Sequence, residues 1–307
     1  MSSTRISENG ADEEDDFKSL GLPADLEAKT YAKFDSMVNE RRIFYEVTKT
    51  EIYSHNGFLF EFRITPILSD KPVLPPNDPG RIKSSGPFIN PNPDEVITNI
   101  GASHRLLVNK YCIYRPMLVL PTREFALQED DLTATDLTAV WAVMKSFSTT
   151  RLLMIYNCGV NSGSSQGHKH MQLFAEPEFE IWPARASASA RDEVESRISG
   201  VSFKHFVLRI PEHATARDVV RIHDRLLALT KDVLVRIGDV DGDYNVAMTE
   251  EWMVLIPRRT FGPGGPNGSN AAGMLGLVAI KDEEERRRWA ELGYTDYLAY
   301  LGVPIDA

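Results

Sequence analysis

The 307-residue chain has little cysteine, little surplus positive charge and no long apolar run, and each shortage removes a class of protein. Cys112 and Cys158 alone supply neither a disulfide framework nor a four-thiolate zinc site, which fits a reducing cytoplasm or nucleus. No uninterrupted apolar stretch approaches the ~20 residues needed to span a bilayer. Met1 to Asp16 is polar and lacks the apolar segment of a secretory signal, so no membrane partner is expected. With 34 Lys and Arg against 44 Asp and Glu, the formal net charge of -10 argues against nonspecific nucleic-acid binding. Any polyanionic ligand must therefore be held by positive groups concentrated at one place.

What remains is an ordinary globular composition, 42% hydrophobic and 25% charged, long enough to bury a sizeable core. Residues 1–23 contain the acidic run Asp12 to Asp16 and read as a disordered acidic tail. Ala24 to Val47 carries Leu26, Tyr31, Phe34, Met37 and Val38 at helical spacing. Phe58 to Ile64 is a strand after the Asn56-Gly57 turn signal, and Lys71 to Pro93 is a proline-rich loop.

A compact unit follows: strands at Arg105 to Asn109 and Met117 to Pro121, a helix over Asp131 to Phe147, then strands at Leu152 to Tyr156 and Lys169 to Phe174. On the helix, Leu137, Val140, Trp141 and Met144 form one apolar stripe, with Thr133 and Asp136 placed to cap its first turn. After an Ala- and Ser-rich connector or peripheral helix, Ala184 to Ser199, the pattern repeats. Phe203 to Ile210 is a strand, Ala216 to Val235 a helix, and Asp243 to Met248 and Trp252 to Pro257 are strands. Tyr244-Asn245 matches Tyr156-Asn157, and Glu251-Trp252-Met253 takes the place of His168-Lys169-His170, which implies a diverged internal duplication with one active site per chain. Its halves are about 98–180 and 200–260 within a catalytic domain of 24–285. Beyond them come the glycine-rich Phe261 to Gly276, the apolar Leu275 to Ile280 and a charged helix near Asp282 to Leu292, with residues 286–307 as a C-terminal helical tail.

Between the last two strands of the first half lies the chain's most informative stretch, Asn157-Cys158-Gly159-Val160-Asn161-Ser162-Gly163-Ser164-Ser165-Gln166-Gly167-His168-Lys169-His170-Met171-Gln172. On a strand, a period of two directs His168, His170 and Gln172 to one face. Gly163 and Gly167 permit positive φ, and the small serines let backbone N–H groups approach an anion, so the loop suits phosphate. A neutral imidazole of pKa near ~6.5 is a competent nucleophile, and its phosphoramidate is labile enough for a second acceptor to attack. Two histidines so spaced also chelate zinc when a third ligand is recruited. The anion loop and the lack of acidic or thiol partners weigh against this, so no metal ligand is assigned. His55, His104, His205, His213 and His223 carry no motif and read as structural or surface residues.

The string Asn-Ser-Gly-Ser-Ser-Gln-x-His-x-His-x-Gln resembles the active-site motif of the diadenosine tetraphosphate phosphorylases (ATP adenylyltransferases), a histidine triad branch in which Gln replaces the last histidine. The resemblance spans roughly residues 40–285 and implies an α+β histidine-triad-like fold of two fused halves, antiparallel sheet flanked by helices. It implies a nucleotidyltransferase in which His170 is the nucleophile, His168 orients it and Gln172 hydrogen-bonds the phosphate or imidazole. Lys71, Asn109, Lys110, Asn157, Asn161, Ser162, Gly163, Ser164, Ser165, Gln166, Asn245 and Thr249 are the implied substrate contacts. The implied reaction is reversible phosphorolysis of diadenosine tetraphosphate to ADP and ATP, with a divalent cation (magnesium) carried on the polyphosphate and the protein acting as a monomer. A dinucleoside polyphosphate hydrolase, a relative of the hexose-1-phosphate uridylyltransferases and a non-catalytic nucleotide sensor are the alternatives.

Overall fold

A computed structural model describes residues 20–67, 71–84, 86–187, 193–240, 242–262 and 269–307, and among these, alternating or continuous runs of large apolar residues between turn signals supply most of thirteen strands. The expected N-terminal tail lies outside the described residues up to position 19. At the chain's start, α1 (Leu26–Asn39) buries Leu26, Phe34 and Met37. A short β1 (Phe44–Tyr45) leads to the hairpin of β2 (Thr50–His55) and β3 (Phe58–Ile64). Then come β4 (Val96–Ile100), β5 (His104–Val108), β6 (Tyr111–Cys112) and β7 (Met117–Pro121). After α2 (Ala134–Lys145), strands β8 (Leu152–Cys158) and β9 (His170–Ala175) flank the long polar loop.

The second half repeats this plan with β10 (Phe206–Arg209), α3 (Ala216–Arg236), β11 (Tyr244–Met248) and β12 (Trp252–Pro257). It closes with α4 (Ala271–Met274), β13 (Leu277–Ile280), α5 (Glu283–Glu291) and α6 (Thr295–Leu301). One antiparallel sheet runs β10-β12-β11-β8-β9-β7-β5-β4, so the two halves join edge to edge at the β8–β11 ladder. A three-stranded sheet pairs β2 with β3 and β3 in parallel with β13. This is the α+β architecture of two diverged halves that the sequence implied.

Both helices of the repeat open on a capping box. Thr133 and Asp136 in α2, and Thr215 and Asp218 in α3, exchange side-chain and backbone bonds that satisfy the helices' first orphan N–H groups. α3 then buries Val219, Ile222, Leu226 and Leu234, each contributing roughly 1.5–3 kcal/mol. Observed boundaries differ from the periodicity by a few residues: α2 is shorter, at 134–145, β8 runs on to Cys158, and β9 spans 170–175, with His168 making only an isolated bridge to Leu127. β12 begins at Trp252, and Asn245 lies directly across from Asn157 in the ladder that joins the two halves. Among its described residues, Ala184 to Ser199 holds the end of a 3-10 turn, Trp182–Arg185, and an isolated bridge from Glu195 to Val207. Residues 263–268 of the expected glycine-rich segment lie outside the described residues. At the C-terminus, α6 buries Leu298 and Leu301 in the core.

One buried ionic centre ties α2 to β5 and to the end of the loop. Asp136 Oδ1 lies 2.9 Å from His104 Nε2, its Oδ2 accepts from Thr133, and the Lys169 ammonium stands 3.5 Å away. Burial opposes ionisation of this carboxyl, but the bonds from His104 and Thr133 and the charge of Lys169 outweigh it and hold the pKa at about 2. Because the folded pKa is depressed, the stabilisation is present above the ordinary carboxylate pKa and is lost as pH falls toward 2. Asp136→Ala also strands a buried ammonium, so denaturant titration at neutral pH should show a loss of about 3 kcal/mol. A loss that instead stayed within experimental error would mean that the centre contributes no net stability.

Candidate active site

The pleat of β9 directs His170 and Gln172 to one face, and the extended run before it carries His168 to the same place. All three are buried and line one cavity of about 490 Å³. Leu107, Val108 and Val119 from β5 and β7 give it an apolar wall, while Lys71, Asn109, Lys110, Ser165 and Gln166 supply polar groups. Glu95 is its one acidic lining residue among those described.

His170 Nδ1 lies 2.8 Å from the His168 carbonyl oxygen. A carbonyl can only accept, so Nδ1 carries the proton and Nε2 keeps a lone pair that meets no partner among the described residues. Burial lowers the His170 pKa to about 4, with the charges of Lys71, His168 and Arg81 acting in the same direction against the raising effect of the carbonyl bond. The imidazole is neutral at pH 7. The His168 ring is anchored elsewhere: Thr122 Oγ1 donates to the Glu124 carbonyl at 2.7 Å, so its lone pair receives His168 Nε2–H at 2.9 Å. His168 therefore orients His170 through its backbone, and its own buried Nδ1 stays an acceptor without a partner among the described residues.

Gln128, which no sequence signal singled out, locks this arrangement. Its Oε1 accepts from His170 N–H at 2.8 Å, and its Nε2 donates to the Asn157 carbonyl at 2.8 Å. Its backbone N–H donates to the Gly167 carbonyl at 2.8 Å, and its carbonyl accepts from Gly159 N–H at 3.2 Å and the Tyr156 hydroxyl at 2.9 Å. One buried residue thus joins β8, β9 and both ends of the loop between them.

The loop itself divides into two parts. Ser165, Gln166 and Gly167 line the cavity, whereas Asn161, Ser162, Gly163 and Ser164 are turned to structural work. Asn161 N–H donates to the Asp243 carboxylate, and Ser162 Oγ donates to the Gly159 carbonyl at 2.7 Å. Ser164 Oγ and its carbonyl accept from the Arg81 guanidinium at 3.3 and 2.9 Å. An N–H already bonded to a carboxylate cannot cradle an anion, which removes Asn161 from the nest expected over 161–166, and of that stretch only Ser165 and Gln166 line the cavity. Gly163 has φ of 92°, as expected, but Gly167 is required for another reason: a Cβ there would fall 2.0 Å from the Arg81 carbonyl oxygen.

Asn157, Asn245 and Thr249 also lie away from the cavity. Asn157 Oδ1 accepts from Asn245 Nδ2 and from Ala271 N–H, both at 2.9 Å, and Asn245 Oδ1 accepts from Arg258 at 2.6 Å. Thr249 Oγ1 accepts from Glu251 N–H at the turn into β12. Arg258 is fully buried and also donates to the carbonyls of Ser162, Thr260, Ser269 and Leu301, which fixes the loop from beneath. Burial lowers its pKa to about 9.

Local positive charge comes from residues without acidic partners. Lys71 makes no ion pair among the described residues, and desolvation lowers its pKa. Arg81 donates to the Leu74 and Pro75 carbonyls and to Ser164, an arrangement that straps the proline-rich segment to the loop. Leu74 N–H to Ser165 O at 3.0 Å and Gln166 Nε2 to Pro72 O at 3.3 Å complete the strap. Among the described residues, no group of three or more His, Cys, Asp or Glu side chains is arranged to hold a metal ion.

A two-half antiparallel sheet with a free imidazole nitrogen at the mouth of a β-strand defines a protein of the histidine triad class. The chain belongs to the Ap4A phosphorylase family: the description "Ap4A phosphorylase N-terminal domain" matches residues 22–184, and "ATP adenylyltransferase C-terminal domain" matches 199–304. Diadenosine 5',5'''-P1,P4-tetraphosphate phosphorylase 2 of Saccharomyces cerevisiae is 30% identical over 236 residues, covering 68% of this chain and 73% of that protein. Protein APA1 of the same yeast is 27% identical over 291 residues, covering 86% and 89%. The crystal structures of yeast Ap4A phosphorylase Apa2 with Ap4A and with AMP superpose with TM-scores of 0.74 and 0.75 at 25% identity, each covering 91% of this chain and 97% of that one.

The tautomer and the pKa can be checked directly. Titration of ring-labelled protein by NMR should show His170 neutral and Nδ1-protonated from pH 8 to about 5, with protonation setting in near 4. An Nε2–H tautomer, or a midpoint near the ordinary value of about 6.5, would contradict the arrangement.

Proposed function

We propose that this chain phosphorolyses diadenosine tetraphosphate, with inorganic phosphate as acceptor, through an adenylyl group carried on His170. The free, neutral Nε2 of His170 inside the cavity carries the reading, and the bound ligands of the yeast structures support it. In the first step the Nε2 lone pair attacks the α-phosphorus. The bond from that phosphorus to its bridging oxygen breaks, and ATP departs with the electron pair. Positive charge developing on the imidazole is met by the Nδ1–H bond to the His168 carbonyl, which strengthens as the ring becomes cationic.

In the second step a phosphate oxygen attacks the same phosphorus, the P–N bond returns its pair to Nε2, and ADP leaves. A phosphate dianion brings its nucleophilic oxygen ready and needs no general base. Gln172, whose amide is free of hydrogen bonds among the described residues, donates to a nonbridging oxygen of the transferred phosphate. Lys71, Lys110, Ser165 and Gln166 receive first the departing polyphosphate and then the incoming phosphate, and Asn109 borders the nucleoside side. Magnesium enters on the polyphosphate. The protein acts as a monomer, since one chain holds every group used, and two free buried cysteines fit work in the cytoplasm or nucleus.

Turnover should require phosphate and release ADP and ATP in equal amounts, and His170→Ala should lose at least about 10³-fold in rate while still binding nucleotide. Accumulation of AMP and ATP at full rate in phosphate-free buffer would make the enzyme a hydrolase instead.

A further inference from the structure

Phe88 stands over both histidines of the site. Its ring centroid lies 4.9 Å from that of His170 with the planes tilted by 43°, and 5.9 Å from that of His168, edge-on at 72°. The backbone carrying it is fixed by Arg105, whose Nη1 donates to the carbonyls of Phe88 at 3.3 Å and Ile89 at 3.0 Å. Pro87, Leu107 and Val119 continue the apolar wall. The ring is only half-buried, so its contribution to core packing is modest; its contacts with the two imidazoles are what the site gains from it.

The chemistry gives that contact a consequence. Once ATP has left, the adenylyl-histidine meets two acceptors, and water is far more abundant than phosphate. Attack by either breaks the P–N bond and returns its electron pair to Nε2. A phosphate oxygen yields ADP, whereas water yields AMP and must release a proton. An apolar ring against the imidazole removes the solvent positions on that side. The same cavity is lined by Lys71, Ser165 and Gln166, whose charge and polar groups favour an anion.

We propose that Phe88 determines the choice of acceptor, shielding the adenylyl-histidine from water so that phosphate is used instead. The inference rests on the adenylyl-histidine reading given above. It makes Phe88 a specificity-determining residue for the second step and predicts little effect on the first.

The test compares wild type with Phe88→Ala, Phe88→Gln and Phe88→Leu, all checked for unchanged thermal midpoints. Two quantities are read: the AMP to ADP ratio from diadenosine tetraphosphate at one fixed phosphate concentration, and the decay of adenylyl-enzyme freed of phosphate and nucleotide. Ala and Gln, which remove the apolar cover, should raise both by at least about tenfold. Leu, which retains it, should stay near wild type. An unchanged ratio and decay rate in both Ala and Gln would overturn the role of Phe88, whatever happened to overall rate. Failure to find any adenylyl-enzyme in wild type would overturn the reaction reading itself, and this inference with it, so the two failures are distinguishable.

Discussion

The hydrogen bond from His170 Nδ1 to the carbonyl of His168 is the constraint on which the rest of the site depends. It fixes which nitrogen is free, and it does so with a backbone acceptor that cannot itself gain or lose a proton. Burial keeps the ring neutral, so nucleophilicity does not wait on deprotonation. The bond survives only if residues 168 to 170 stay extended, and Gln128 enforces this by holding His170 N–H while gripping both strands beside it. A neutral buried amide suits the task, since it satisfies a donor and an acceptor without adding charge next to a phosphate.

The duplicated fold divides the work between its halves. In the first half the connection from β8 to β9 is long and becomes the loop of the site; in the second, β11 and β12 are joined by a short turn and β12 opens on Trp252. The second half has become a brace. Asn245 reaches across the ladder to Asn157, and Arg258 spends its donors on Ser162 and on three segments of the C-terminal region. Five backbone and side-chain oxygens surround the buried guanidinium and stand in for a directly bonded carboxylate.

Much of this was legible in the sequence because local pattern and tertiary structure agree. The apolar stripe of α2 with Thr133 and Asp136, the strand pattern around His170 and the repeat order all follow from short-range periodicity. The alternation that gathers His168, His170 and Gln172 is also a local property, and so these three, with Lys71, Asn109, Lys110, Ser165 and Gln166, reach one cavity. The fate of Asn161 to Ser164 was not legible. Whether an N–H faces a ligand or a carboxylate such as Asp243 is decided by residues about eighty positions away. Gln128, Arg81 and Phe88 escaped for the same reason, since their roles are set by long-range contacts and not by spacing. The pairing of β3 with β13 joins distant segments and leaves no local mark.

The central claim is that His170 carries the transferred group on Nε2. Mixing the enzyme with diadenosine tetraphosphate in phosphate-free buffer, quenching within one turnover and mapping the peptides by mass spectrometry tests this most directly. The mass of one adenylyl group should appear on the peptide containing His170, be labile to acid, and vanish when phosphate is added before the quench, with ADP formed in equal amount. An adduct on another residue, or none at all under conditions where turnover proceeds, would contradict the account.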